Sequence, residues 1–131
     1  TLLKYPHIFG GAACLSTHWP LVDEEESLES KAWRRHVTDA WLDYLHEGLP
    51  PAGMHRFWFD HGSESLDWYY QPYQRKIDAE FADRGYKRGT DFISKIFPGD
   101  DHNEGSWGDR LSAPLSFILR NDKDGPSNSS S

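Results

Sequence analysis

The sequence predicts an α/β fold in which about three parallel strands are flanked by helices. Three short apolar runs of strand length alternate with longer stretches whose apolar residues recur at helical spacing. Each short run ends in polar residues, the second and third with a glycine among them, a pattern of strands feeding helices through tight loops. Regular alternation of this kind builds a parallel sheet covered by its connecting helices.

The elements follow in order. TLLKYP reads as the last turns of a helix stopped by Pro6, with neither an initiator methionine nor a targeting composition. It has the look of a cut through a larger fold. HIFGGAACLS is small and apolar, as a buried strand would be. THWPLVDEEES is a loop whose acidic run, Asp23 to Glu26, leads into a helix N-terminus that favours negative charge. From Leu28 to His46 the residues Trp33, Val37, Trp41 and Tyr44 or Leu45 recur with helical period, and Gly48, Pro50, Pro51 and Gly53 end that helix. MHRFWFDHG alternates and is a strand stopping at Gly62. The next segment carries Tyr70, Tyr73, Ile77 and Phe81 on one helical face, with Gly85 as its C-cap. Thr90 to Phe97 is the third strand. Trp107, Leu111, Leu115 and Ile118 mark a last helix, kinked or divided at Pro114; Trp107 and Leu111, like Trp33 and Trp41, read as core contacts. One domain over residues 1–120 is expected, followed by a polar, frayed tail at 121–131.

Composition narrows the function. The 131 residues are only 37% hydrophobic, but 15% are aromatic, six of them tryptophan, which is too aromatic for a disordered chain. A formal charge of −7 with no basic face argues against nucleic acid or an anionic membrane as partner. No run of about 18 apolar residues is present, so no membrane span is expected. The single cysteine, Cys14, excludes an intrachain disulfide framework and a cysteine-based zinc site; in its apolar run it reads as a buried, inert thiol. Compartment stays open between cytoplasmic and exported, as for a bacterial-type enzyme.

In doubly wound sheets, active sites gather beyond the carboxyl ends of the strands. Three polar clusters fall there: Ser16, Thr17, His18 and Trp19; then Asp60, His61, Glu64 and Asp67; then Asp100 to Glu104, with His102 in the middle. Imidazole titrates nearest neutrality, so His102 can serve as a proton shuttle, and an acid after the preceding strand can orient it. Asp67 and Glu64 are both eligible as that acid, or either caps the following helix. Asp60 sits in the strand-end turn and orients backbone. His18 and Trp19 either line a substrate pocket or pack as an aromatic with a hydrogen-bonded histidine. His55 and His61 share no face with Asp60 and read as solvated, so neither a metal nor another cofactor is expected.

FGGAACLSTHWP, FDHGSESLDWYYQPYQ and FPGDDHNEGSWGDRLSAPLSFIL resemble the C-terminal half of an esterase family of α/β-hydrolases. That family includes enterochelin esterase-like enzymes, S-formylglutathione hydrolases, feruloyl esterases and mycolyltransferases. The resemblance spans nearly all of residues 1–120. It implies a partial α/β-hydrolase fold lacking the N-terminal half, with His102 as general base and Asp67, favoured by the family pattern, or Glu64 as its acid. It also implies that LLKYPHIFGGAACLS follows a nucleophile elbow. No Gly-x-Ser-x-Gly occurs in the chain. The serine, its amide and the oxyanion loop would then lie outside it.

Two functions of different kind follow. One is the acid–base part of a serine carboxylic-ester hydrolase, acting on a small-molecule ester and completed by an N-terminal half. The other is a non-catalytic α/β module that forms homo-oligomers or pairs with another chain through its open sheet edge. A histidine-rich metal binder is a weaker third.

Overall fold

The computed structural model describes residues 2–22, 24–100 and 102–120. Its elements are β1 (Gly11–Leu15), α1 (Glu25–Glu29), α2 (Lys31–Gly48), β2 (Arg56–Gly62), a 3₁₀ turn (Ser65–Tyr69), α3 (Gln71–Asp83), β3 (Phe92–Phe97), α4 (Glu104–Asp109) and α5 (Ser112–Ile118). The strands form one parallel sheet in the order β1-β2-β3, with Cys14 beside Phe59 and Phe59 beside Ser94. The chain is therefore a mixed α/β fold with a three-stranded parallel sheet and flanking helices.

Alternation along β2 sends its side chains to two different covers. Phe57 and Phe59 face α2 and α3, where they join Val37, Leu45, Tyr73, Ile77 and Phe81 in the main core. Phe81 meets Phe57 and Phe59 edge-on at 4.9 and 5.3 Å between ring centres, a favoured geometry for aromatic pairs. Trp58 points the other way, onto Phe117 of α5. On that same face Gly11 leaves room for Ile118, whose methyl groups a Cβ would strike.

Most of the sequence periodicity is realised. Tyr70, Tyr73, Ile77 and Phe81 are all buried, and Gly85 adopts the left-handed φ of 89° that a helix C-terminus favours. Four expectations change. Residues 2–8 form successive turns, with Tyr5 N–H bonded to Leu2 and Ile8 N–H to Tyr5, where the sequence suggests the end of an α-helix. The first helical stretch breaks at Ser30, whose hydroxyl caps α2 by accepting from Trp33 N–H. The last helix divides at Arg110 and Leu111, ahead of Pro114, which lies in the first turn of α5 where a proline costs no hydrogen bond. That break shifts the helical phase, so Leu111 is exposed and Trp107 packs beside His102 instead of entering the main core. The polar tail falls outside the described residues.

Candidate active site

β2 ends at Gly62 because nothing larger fits: a Cβ there would run into the Asp100 carbonyl. The close approach lets the Asp100 carbonyl accept from Ser63 N–H and Glu64 N–H at 3.0 and 3.1 Å, while the Ser63 hydroxyl accepts from Gly99 N–H at 2.9 Å. The loops after β2 and β3 are thus bonded to each other directly. Ser65 takes a positive φ of 57°, uncommon for a residue with a side chain, and starts the 3₁₀ turn that carries Asp67 inward.

Asp67 is 0% exposed and its two oxygens have separate duties. Oδ2 accepts from Gly62 N–H and from the Ser16 hydroxyl, the latter at 2.7 Å. Oδ1 lies 2.9 Å from Nδ1 of His102. An imidazole donating Nδ1–H to this carboxylate keeps Nε2 as the unprotonated nitrogen, the tautomer a general base requires. No hydrogen bond engages Nε2 among the described residues, and the side chain is 25% exposed. Trp107 stands edge-on to the ring at 5.1 Å and limits its rotation.

Tyr70 joins the second histidine to the first. His18 Nε2–H donates to the Val22 carbonyl at 3.1 Å, so its Nδ1 accepts from the Tyr70 hydroxyl at 2.7 Å. The same Tyr70 oxygen sits 3.3 Å from His102 Nδ1, a weaker second acceptor for that proton. The two imidazoles lie 6.3 Å apart, centre to centre.

Of the residues singled out in the sequence, His102, Asp67 and His18 come together. Glu64 does not: it precedes the 3₁₀ turn on the exposed side, where its carboxylate accepts only a long bond from Ser63. Asp67 is thus the carboxylate beside His102 and Glu64 is not, since a three-residue step along the turn separates an inward from an outward side chain. Trp19 also leaves the site. It is buried, donates its indole N–H to Gln74 at 2.8 Å and meets Trp41 edge-on at 5.1 Å, so it packs in the core and does not stand beside His102. His61 is buried and bonded to the Gly62 carbonyl, where the sequence suggests a solvated ring. Burial raises the Cys14 thiol pKa above its ordinary value, in keeping with an unreactive residue.

The sequence gives little sign of Ser16 and Arg110. Ser16 follows β1 with a φ of 48°, and this left-handed turn directs its hydroxyl at Asp67. Arg110 is a buried arginine in a segment that reads as an ordinary amphipathic helix. A buried arginine must find acids, and it finds two at strand ends, Asp60 and Asp100; that is the one signal available.

Compared with family models, curated proteins and solved structures, the chain matches none of them.

Proposed function

We propose that this chain is the acid–base part of a serine carboxylic-ester hydrolase of α/β-hydrolase type, with the nucleophilic serine and oxyanion hole supplied from outside it. The observation that carries the reading is the buried Asp67 carboxylate 2.9 Å from His102 Nδ1, with no hydrogen bond to Nε2 among the described residues. In this mechanism Nε2 takes the proton of the incoming serine as its oxygen attacks the ester carbonyl. It then returns that proton to the leaving alcohol, and repeats the exchange with water to release the acid. Asp67 fixes the tautomer and offsets the charge of the imidazolium. Among the described residues no serine hydroxyl approaches His102: Ser16 is turned to Asp67 and Ser63 to Gly99.

The test is the reading frame upstream of Thr1 together with activity. The 131-residue chain alone should neither hydrolyse p-nitrophenyl acetate through a serine nor label with a fluorophosphonate. A longer chain carrying Gly-x-Ser-x-Gly should do both, and His102→Ala in it should cost roughly 10⁶-fold in kcat with little change in binding. Stoichiometric labelling of a serine within residues 1–131, or an upstream frame without that motif, would sink the proposal.

A second reading, a non-catalytic module that pairs through its sheet edge, draws on one further observation. Among the described residues no strand pairs with the outer edge of β1, and an apolar cavity of about 300 Å³ runs beneath it, lined by Leu3, Cys14, Trp41 and Phe59 among others. An unpaired edge beside apolar surface favours association. The two readings share that edge and separate on whether a serine arrives with the added strand.

A further inference from the structure

Arg110 belongs neither to the acid–histidine pair nor to the main core, yet its buried guanidinium binds three separate segments of chain. Nε and Nη2 donate to Asp60 Oδ1 at 3.2 and 3.0 Å, Nη2 also to the Ser16 hydroxyl oxygen at 2.8 Å, and Nη1 to Asp100 Oδ2 at 2.9 Å. Phe97 lies against its flat face, 5.1 Å from ring centre to guanidinium carbon. These partners are the ends of β1 and β2 and the loop after β3, which are the three places from which the site is built. Asp60 spreads the clamp further by accepting from Ser16 N–H at Oδ1 and from the Trp58 indole N–H at Oδ2.

The chemistry of the donors fixes a direction. A guanidinium only donates, so the Ser16 oxygen must accept from Arg110. The Ser16 proton is thereby left for Asp67 Oδ2, 2.7 Å away. With Oδ2 held by Ser16 and Gly62, the remaining oxygen, Oδ1, is the one presented to His102. Arg110 therefore aims the carboxylate through one intervening hydroxyl, and holds the loop bearing His102 through Asp100.

We infer that Arg110 is a positioning residue for the Asp67–His102 pair, acting through Ser16 on the acid and through Asp100 on the base. The arrangement of the pair stands on its own geometry; its value for turnover rests on the esterase reading. Lysine could not replace it, because a single ammonium cannot span the three segments with fixed angles.

The test reads the pair and not activity, so the esterase reading and this one can fail separately. The imidazole Nδ1 proton of His102 is followed by NMR in the 131-residue chain, with Asp67→Asn as the control that removes the carboxylate. Arg110→Gln and Ser16→Gly are then compared; glycine suits the positive φ at position 16. Both should release the Nδ1 proton to water at least about tenfold faster, toward the control, while the far-UV spectrum stays unchanged. A purely structural role for Arg110 would lower the melting temperature in Arg110→Gln and leave the exchange of that proton unchanged in the same variant, which would overturn the inference. Unchanged exchange in Ser16→Gly, with the control accelerated, overturns the inference. If Arg110→Gln fails to fold, Arg110→Lys is read in its place, and exchange as slow as in the parent overturns the inference.

Discussion

The two ends of the same three-stranded sheet are built in opposite ways. At the carboxyl end the polar groups are buried and bonded to one another: Asp60, Asp67 and Arg110 have almost no contact with solvent, and each holds several partners. At the amino end the chain leaves apolar groups in water. Ile8 and Leu119 are exposed there, Met54 is 86% exposed, and polar side chains bond to backbone carbonyls, such as His55 to Pro6 and Arg56 to Phe117 and Arg120. Burying charge carries a desolvation cost that well-packed apolar residues would avoid. A fold needing only stability would have little use for the carboxyl-end network, so its presence points to positioning. The amino end has no comparable constraint.

The contrast is sharpest where one partner of the network is removed. Asp60→Ala strands the Arg110 guanidinium with the partly exposed Asp100 and orphans the Trp58 indole, so it should cost about 3–5 kcal/mol in urea unfolding. A loss below about 1 kcal/mol would mean that the network is not the tight unit described and would erase the contrast.

A smaller effect is expected from a strongly shifted group on the other side of the comparison. Tyr86 packs on Phe57 and Phe81 and donates to the Pro50 carbonyl at 2.7 Å, and burial pushes its hydroxyl up to about 12. The folded chain holds that proton more tightly than the unfolded chain, whose phenol titrates at 10.0. Its contribution is therefore complete below pH 10 and is lost as the pH rises to about 12. Urea midpoints taken up to about pH 12 should fall by the equivalent of roughly 2–3 kcal/mol, and Tyr86→Phe should flatten that step while lowering the plateau slightly. An equal alkaline loss in the variant would assign it elsewhere. The smallest change should come at Met54: Met54→Ser is expected to stay within about 0.5 kcal/mol of the parent. A cost of several times that would show that the amino end is packed against something.

How far the sequence could be read follows the same division. Periodicity located the sheet, the face of α3 and the three strand-end clusters, because burial of one face imposes a period that composition records. It could not choose between Glu64 and Asp67, since the outcome depends on the positive φ at Ser65 and the 3₁₀ turn it begins. Nor could it foresee Leu111 in solvent, because one break at Arg110 rotates every later residue about the helix axis. Trp19 and His61 show a related limit: an aromatic or a histidine next to a polar cluster can turn either way, and here both turn inward. Arg110 was the hardest to see. Its role arises from where three distant segments meet, and no local pattern records that meeting.

The bonds that define this site span long stretches of chain: 35 residues separate His102 from Asp67, 51 separate Ser16 from Asp67, and 94 separate Ser16 from Arg110. Contacts of such high order require loop-closure entropy to be overcome before they give any return, so they form late in folding. The His102–Asp67 hydrogen bond should therefore appear only with the last cooperative step of refolding, after helix signals have developed. No peptide shorter than the span from Ser16 to Arg110 can contain the whole arrangement.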